Sequence, residues 1–348
     1  MRPLPPGNPG SYAAIALPIP RTTLPPHPPD EPGRWRPDVL PSPGSASPSL
    51  QRQAASPASR RRTGRRCGPD LWRGAECRYT ASVESGSAVV TPVGRHSRQV
   101  AVLRRIVRGA DPARTVVDGA RLVGDLLRAG LPVEAVFTTE VHLGAVTAAL
   151  PPTVAARVPI YLLDPGTASR LAPSQHGQGV LAVVPRPARA LTATGAVLYL
   201  DHIQDPGNVG GAIRSAAGLG AAGVACSPGC ADPFSPRALR ASAGQALVLP
   251  VQYPADFAEL AAAFERAGGE VLGTAAQGGT PLAEWRPRLP ALLVFGNEGR
   301  GLSPEVAARC SQRLTIPLER GVESLNVAVS AALVLARLRW LVPSPILD

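Results

Sequence analysis

The chain has 348 residues, enough for two domains and a sizeable core, and 45% of them are hydrophobic. Its 36 basic and 25 acidic residues give a formal net charge of +11, and every base is Arg. No stretch reaches the roughly 18 uninterrupted apolar residues of a membrane span. The early run from Ser11 to Pro20 is short, Pro-broken and poorly flanked for a signal peptide.

Cysteine usage adds a second exclusion. Cys226 and Cys230 form a lone C-x-x-x-C with no second pair and no clustered His, so no metal is expected. The pattern suits a reducing compartment, and a soluble cytoplasmic protein with no membrane association is the expectation.

Charge divides the chain. Up to Arg95 there are 13 Arg against 6 acids; residues 96–114 add 5 Arg and 1 acid; from Thr115 onward there are 18 of each. Residues 1–95 are dominated by Pro, Arg, Ser and Gly, and cannot bury enough apolar surface to offset the entropy of ordering. They read as a disordered basic arm whose natural complement is a polyanion, RNA first. A base composition that enriches Arg, Ala, Gly and Pro accounts for the same tail equally well.

Residues 96–188 then alternate between strand and helix. Arg98 to Ala110 has apolar residues at helical spacing, with Arg104, Arg105 and Arg108 on the polar side. Thr115 to Gly130 gives a strand and a helix closed by glycine. Strands follow at Val133 to Thr139, Val158 to Asp164 and Gly179 to Pro185, separated by short helices. This alternation predicts a small α/β domain.

Residues 196–342 predict a second α/β domain. Ala196 to Ile203 is almost wholly apolar, as in a sheet buried on both faces. Further strands are expected at Gly223 to Ser227, Leu247 to Gln252, Glu270 to Ala276, Ala291 to Gly296 and Leu314 to Pro317. Helices are expected between them, and a long small-residue helix ends the domain.

Three turns stand at carboxyl ends of these strands, where open parallel sheets bind ligands. The first holds Asp205, Pro206, Gly207, Asn208, Gly210 and Gly211, with Arg214 one turn into its helix, from where it can return toward the same end. The second is Gly296-Asn297-Glu298-Gly299-Arg300-Gly301, in which Glu298 either faces a ligand, caps the following helix or pairs with Arg300. The third is Glu323-Ser324-Leu325-Asn326 at the start of the last helix. The set has no His, Cys or Lys, which excludes a Ser-His-Asp hydrolase. The first turn lacks G-x-G-x-x-G spacing and the second strand ends without a carboxylate, which weighs against a dinucleotide oxidoreductase. Group transfer from an activated donor fits these side chains.

In this order and spacing the turns resemble the motifs of the SpoU/TrmH branch of the SPOUT RNA methyltransferases. The matching residues are Asp205-Pro206-x-Asn208-x-Gly210-x-x-x-Arg214, Gly296-Asn297-Glu298-x-x-Gly301-Leu302, and Ile316-Pro317 with Glu323-Ser324-Leu325-Asn326-Val327. The likeness covers roughly residues 98–342, and the smaller domain is similar to the family's ribosomal-protein-like substrate domain. It implies a C-terminal parallel sheet with a deep trefoil knot, a homodimer, and methylation of a ribose 2′-hydroxyl with S-adenosylmethionine. Asn208, Arg214, Glu298, Ser324 and Asn326 would then be catalytic, and Gly296, Ile316 and Leu325 would hold the cofactor. Ribosomal RNA is the expected substrate and transfer RNA the second. A silent RNA-binding protein on the same fold is a further alternative, which the intact Asn208, Arg214 and Glu298 oppose. Departures are small: Asp118 where Glu is common, Leu318 for Met, and a glycine one place late at Gly321.

Overall fold

The computed structural model describes residues 51–52, 79–83, 86–151, 157–173 and 179–342, in two sheets. The first sheet has the order β1-β2-β3-β6-β5-β7-β4. Its strands are β1 (Gln51–Arg52), β2 (Tyr79–Val83), β3 (Gly86–Pro92), β4 (Arg114–Asp118), β5 (Ala135–Thr138), β6 (Ile160–Leu162) and β7 (Val180–Pro185). Helices α1 (Arg98–Val107), α2 (Ala120–Arg128), α3 (Glu140–Ala149) and α4 (Pro165–Leu171) intervene.

Adjacent residues of a strand point to opposite faces, so each strand feeds two cores. Val116, Phe137, Leu181 and Val183 meet Val100, Leu103 and Ile106 of α1 and Leu171 of α4. Val117, Val136 and Ala182 meet Leu126 and Leu127 of α2 and Val146 of α3. Burying a Leu or Ile side chain contributes about 1.5–3 kcal/mol, so both layers hold the sheet.

Part of the expected arm is folded. β3 runs parallel to β6, with Val90 opposite Ile160, and antiparallel to β2. The folded unit therefore begins before residue 96. Composition averaged over a Pro- and Arg-rich segment hides a short strand whose partner lies some 70 residues downstream. The remainder of the arm lies outside the described residues.

The second sheet is parallel throughout, in the order β10-β9-β8-β13-β11-β14-β12. In chain order its elements are β8 (Ala196–Leu200), α5 (Pro206–Gly218), β9 (Gly223–Cys226), α6 (Pro236–Ala241), β10 (Val251–Gln252), α7 (Phe257–Arg266), β11 (Glu270–Thr274), β12 (Thr280–Pro281), β13 (Ala291–Phe295), α8 (Pro304–Arg309), β14 (Gln312–Thr315) and α9 (Val327–Leu341). Every residue of β8 and β13 is buried, as expected of central strands covered on both faces. Val209, Ile213, Leu239, Val334 and Leu335 of α5, α6 and α9 pack one face. Phe257, Leu260 and Phe264 of α7 and Val306 of α8 pack the other.

The expected strand over Leu247 to Gln252 is shorter. A 3-10 turn occupies Gln245–Leu247, and Pro250, which has no N–H to give a ladder, confines β10 to two residues.

Polar contacts join the elements of the two sheets. Thr115 Oγ1 donates to the Phe234 carbonyl, and Arg240 meets Asp118 at 2.8 Å. Arg186 bonds Asp232 at 2.7 Å and lies 5.6 Å over the Phe234 ring.

Candidate active site

The loop after β8 is pinned from below. Asp201 is 1% exposed; its Oδ2 accepts from Ser303 N at 2.7 Å and its Oδ1 bonds His202 Nδ1 at 2.7 Å. A carboxylate buried at a strand end thus ties the first turn to the helix that follows the second. Asp205 then caps α5, accepting from Asn208 N at 3.0 Å, with Pro206 in the first helical turn. Arg237 of α6 donates to the other oxygen of Asp205 at 2.9 Å.

The second turn closes on itself. Asn297 N donates to Gly301 O at 3.0 Å and Gly301 N returns to Asn297 O at 2.8 Å. At Gly296 an added Cβ would lie 2.3 Å from the Gly301 carbonyl carbon, so only glycine lets the chain cross there. Asn297 also donates to the His202 carbonyl at 2.9 Å and accepts from Gly299 N and Arg300 N. This leaves Glu298 projecting at the tip.

The third turn reaches the first through helix packing. A Cβ added at Gly211 of α5 would lie 2.9 Å from Ala328 Cβ, so the absence of a side chain there lets α9 approach closely. Asn326 caps α9, accepting from Ala328 N at 2.9 Å, and donates from Nδ2 to Asn208 Oδ1 at 2.8 Å. Asn208 Nδ2 in turn donates to Glu298 Oε1. The resulting row runs from the positive end of a helix through two amides to a carboxylate. Of the roles open to Glu298 from sequence, its carboxylate takes the bond from Asn208, and no side chain caps α8.

Beside this row lies a cavity of about 290 Å³, formed beyond the carboxyl ends of β11, β13 and β14. Gly296, Ile316, Leu325, Glu298 and Ser324 all line it. The rest of its wall includes the apolar Phe295, Leu314, Leu318 and Val334 and the hydroxyls of Thr274 and Ser330. Among the described residues no cationic side chain lines it, and one carboxylate does. That donor set suits an amphiphilic ligand with a positive charge.

Arg214 is placed elsewhere. It lies six residues beyond Asn208, roughly 120° around α5. It lines a separate groove of about 480 Å³ with Asp118, Arg121, Leu122 and Arg240. The expectation that it folds back to the first turn does not hold within one protomer.

Asp201, which with Asn297 anchors the two loops, escapes the sequence pattern; its strand-end position was the available signal. Cys226 and Cys230 are both buried. Its hydrogen bond to Cys230 and its burial push the Cys226 thiol well up, while the bond from Cys226 draws Cys230 down to about 7. Cys230 also accepts from Ile203 N at 3.3 Å and donates to Leu200 O at 3.0 Å, beneath the β8 loop. Among the described residues no group of three or more His, Cys, Asp or Glu could hold a metal.

A family model described as the SpoU rRNA Methylase family matches residues 195–336. RlmP of Bacillus subtilis, a 23S rRNA (guanosine(2553)-2′-O)-methyltransferase, is 32% identical over 228 residues, 64% of this chain and 88% of that protein. A Synechocystis protein carrying the name tRNA/rRNA methyltransferase is 37% identical over 151 residues, and the match spans 55% of its length and 42% of this chain. A TrmH-family structure from Porphyromonas gingivalis superimposes with a TM-score of 0.59 at 34% identity, covering 69% of this chain and 96% of that one. An AdoMet-bound rRNA methyltransferase from Sinorhizobium meliloti shares the fold, with a TM-score of 0.63 at 24% identity over 73% of this chain and 99% of its own. With the three turns gathered in order around one cavity, and a relative matched over 88% of its length, the chain belongs to the SpoU RNA methylase family.

Proposed function

We propose that this protein transfers a methyl group from S-adenosylmethionine to a ribose 2′-hydroxyl of structured RNA, ribosomal RNA first. The observation that carries it is the Asn326–Asn208–Glu298 row at the edge of a cavity free of cationic side chains. The likeness to RlmP supports the choice of ribosomal RNA. Transfer RNA is the second reading, supported by relatives whose names include it.

When bound, the cofactor supplies a methyl group made electrophilic by a sulfonium. Gly296, Ile316 and Leu325 would hold it, and Glu298 sets a negative charge at the cavity wall. Asn208 and Ser324 orient the attacking hydroxyl, and Asn326 fixes the Asn208 amide. Arg214 contacts the neighbouring phosphate and stabilises charge developing on the ribose oxygen; a guanidinium stays protonated and does not serve as the base, so the hydroxyl proton passes to water as the methyl group is taken up.

Because Arg214 faces away from its own cavity, we assign it to the site of a second copy in a homodimer. The exposed apolar stripe Val329, Leu333 and Trp340 on α9 supports such a pairing. The deep knot is supported by β13 lying between β8 and β11, and by α9 returning against α5. The small domain, ending at about residue 188, would hold RNA and residues 196–342 would carry the chemistry. The cytoplasm, which contains ribosomal RNA, is the proposed location.

The test is to map 2′-O-methyl groups on total RNA from cells with and without the gene, and to titrate purified protein with S-adenosylmethionine. Loss of one 2′-O-methyl in ribosomal RNA is expected, with cofactor binding. Unchanged RNA from both cells, or methyl transfer to a base, would overturn the reading.

A further inference from the structure

We infer that the small domain carries a nucleotide pocket of its own, in which one unpaired RNA base stacks on Tyr161 while its phosphates meet Arg98. This rests on the RNA-directed function proposed above and names the contact that the substrate domain makes.

A cavity of about 340 Å³ opens between α1 and the strands beneath it. Its walls include Arg98, Gln99 and Val102 of α1, and Glu134, Phe137 and Tyr161. Phe137 and Tyr161 are register partners on β5 and β6, with ring centroids 4.9 Å apart and a 36° tilt. Phe137 is buried while Tyr161 is only half-buried, so its ring has surface to offer. Unstacked bases are held in this way, on an aromatic face with polar atoms at the base edge. The Gln99 amide provides donors and an acceptor, and the Glu134 carboxylate acceptors. Among the described residues, Arg98 and Gln99 make no side-chain hydrogen bond or ion pair.

The rim is built rather than incidental. Asp111, 3% exposed, accepts from Arg114 at 2.8 Å and from Arg105 at 3.2 Å. This fixes Arg114 at the cavity, 3.6 Å from Glu134.

Charge selects the occupant. Residues 96–114 carry 5 Arg and 1 acid, whereas everything from Thr115 onward balances. The excess thus lies on α1 and the start of β4, where Arg98, Arg104, Arg105 and Arg108 are exposed. The chain's own N-terminal segment has 13 Arg against 6 acids up to Arg95, so it does not complement this surface. A polyanion does.

The test uses the full chain with single-stranded 12-nucleotide oligo(A) and oligo(U), and S-adenosylmethionine as control ligand. Tyr161→Leu should weaken RNA binding about 5- to 150-fold, the effect of losing one stacked base, and Tyr161→Phe should bind as the parent does. Arg98→Ala should lower the slope of log affinity against log salt by about 0.7, one phosphate contact on a single strand. Cofactor affinity should stay unchanged in all three, and 4-thiouridine crosslinks should map to α1 or β6. Parental RNA affinity in Tyr161→Leu, with crosslinks elsewhere, would overturn the pocket. If that variant weakens binding but the parent methylates no RNA, the proposed function fails and the pocket stands. If the parent methylates ribosomal RNA and Tyr161→Leu does so with the same KM, the pocket fails and the function stands.

Discussion

Asn326 holds two structures at once: its Oδ1 caps α9 through Ala328 N at 2.9 Å, and its Nδ2 donates to Asn208 Oδ1 at 2.8 Å. One short side chain therefore couples the start of the last helix to the orientation of the amide that points at Glu298. The start of the helix and the assembly of the site thus share one residue.

The two roles separate by substitution. Asn326→Ala removes both and should cost about 1 kcal/mol of stability, the usual effect of losing a cap. Asn326→Asp keeps the acceptor for the helix but has no donor for Asn208, and sets a second charge toward Glu298. It should melt close to the parent while methyl transfer falls on the order of 100-fold. Thermal unfolding and single-turnover transfer, measured on both variants, check this; equal activity in parent and Asn326→Asp would refute the role given to the row.

Arg214 supplies the second prediction. It lies outside the 290 Å³ cavity, so Arg214→Ala should bind S-adenosylmethionine as the parent does. Transfer to RNA should fall on the order of 100- to 1,000-fold, the scale of one lost contact to developing charge. Arg214→Lys should restore little, because an ammonium cannot present the planar fork that grips a phosphate. Mixing Arg214→Ala protomers with Gly296→Ala protomers should recover part of the activity, as each supplies what its partner lacks. Absence of any recovery would place Arg214 in its own protomer's site.

Much of this was legible in the sequence because the site sits on local features. Gly296, Ile316 and Leu325 line one cavity, and Asn208, Glu298 and Asn326 meet beside it. Gly296 and Glu298 follow the buried strand β13 and Asn208 comes after the buried strand β8, and the end of a parallel strand is where ligands collect. What failed depended on three-dimensional phase or distance. Arg214 shares a helix with Asn208, but six residues turn it away, and proximity in sequence conceals that. Strand β3 was lost in the composition of the arm because its partner, Ile160, is far along the chain. Asp201 looked like the plain end of a strand until the fold brought Ser303 N to it.

Acid sensitivity should come from Asp111. Hydrogen bonds from Arg114 outweigh its burial and hold the carboxyl at about 2, below its ordinary 3.8. A carboxylate lowered on folding contributes stability above its unfolded pKa, and loses it as pH falls toward the folded one. The protein should therefore lose stability between about pH 4 and pH 2, and Asp111→Asn should flatten that limb. Because the variant also loosens Arg105 and Arg114, it should be less stable than the parent at pH 7. Denaturant midpoints at a series of pH values test both statements; parallel curves for parent and variant would refute them.

Two glycines of one turn should behave oppositely. At Gly296 a methyl group would meet the Gly301 carbonyl carbon at 2.3 Å and its oxygen at 2.5 Å, and backbone cannot swing aside as a side chain can. At Gly299 the same methyl would meet only Asn297 Oδ1 at 3.6 Å, an ordinary contact. Gly296→Ala should therefore push the paired Asn297–Gly301 loop off the cavity wall and abolish detectable S-adenosylmethionine binding. Gly299→Ala should bind within about threefold of the parent, and the smaller freedom of the unfolded chain should offset part of any strain. Calorimetric titration of the cofactor separates the two. Near-parental binding by Gly296→Ala would mean that the turn tolerates a different crossing, and that the cavity wall is not set by this glycine.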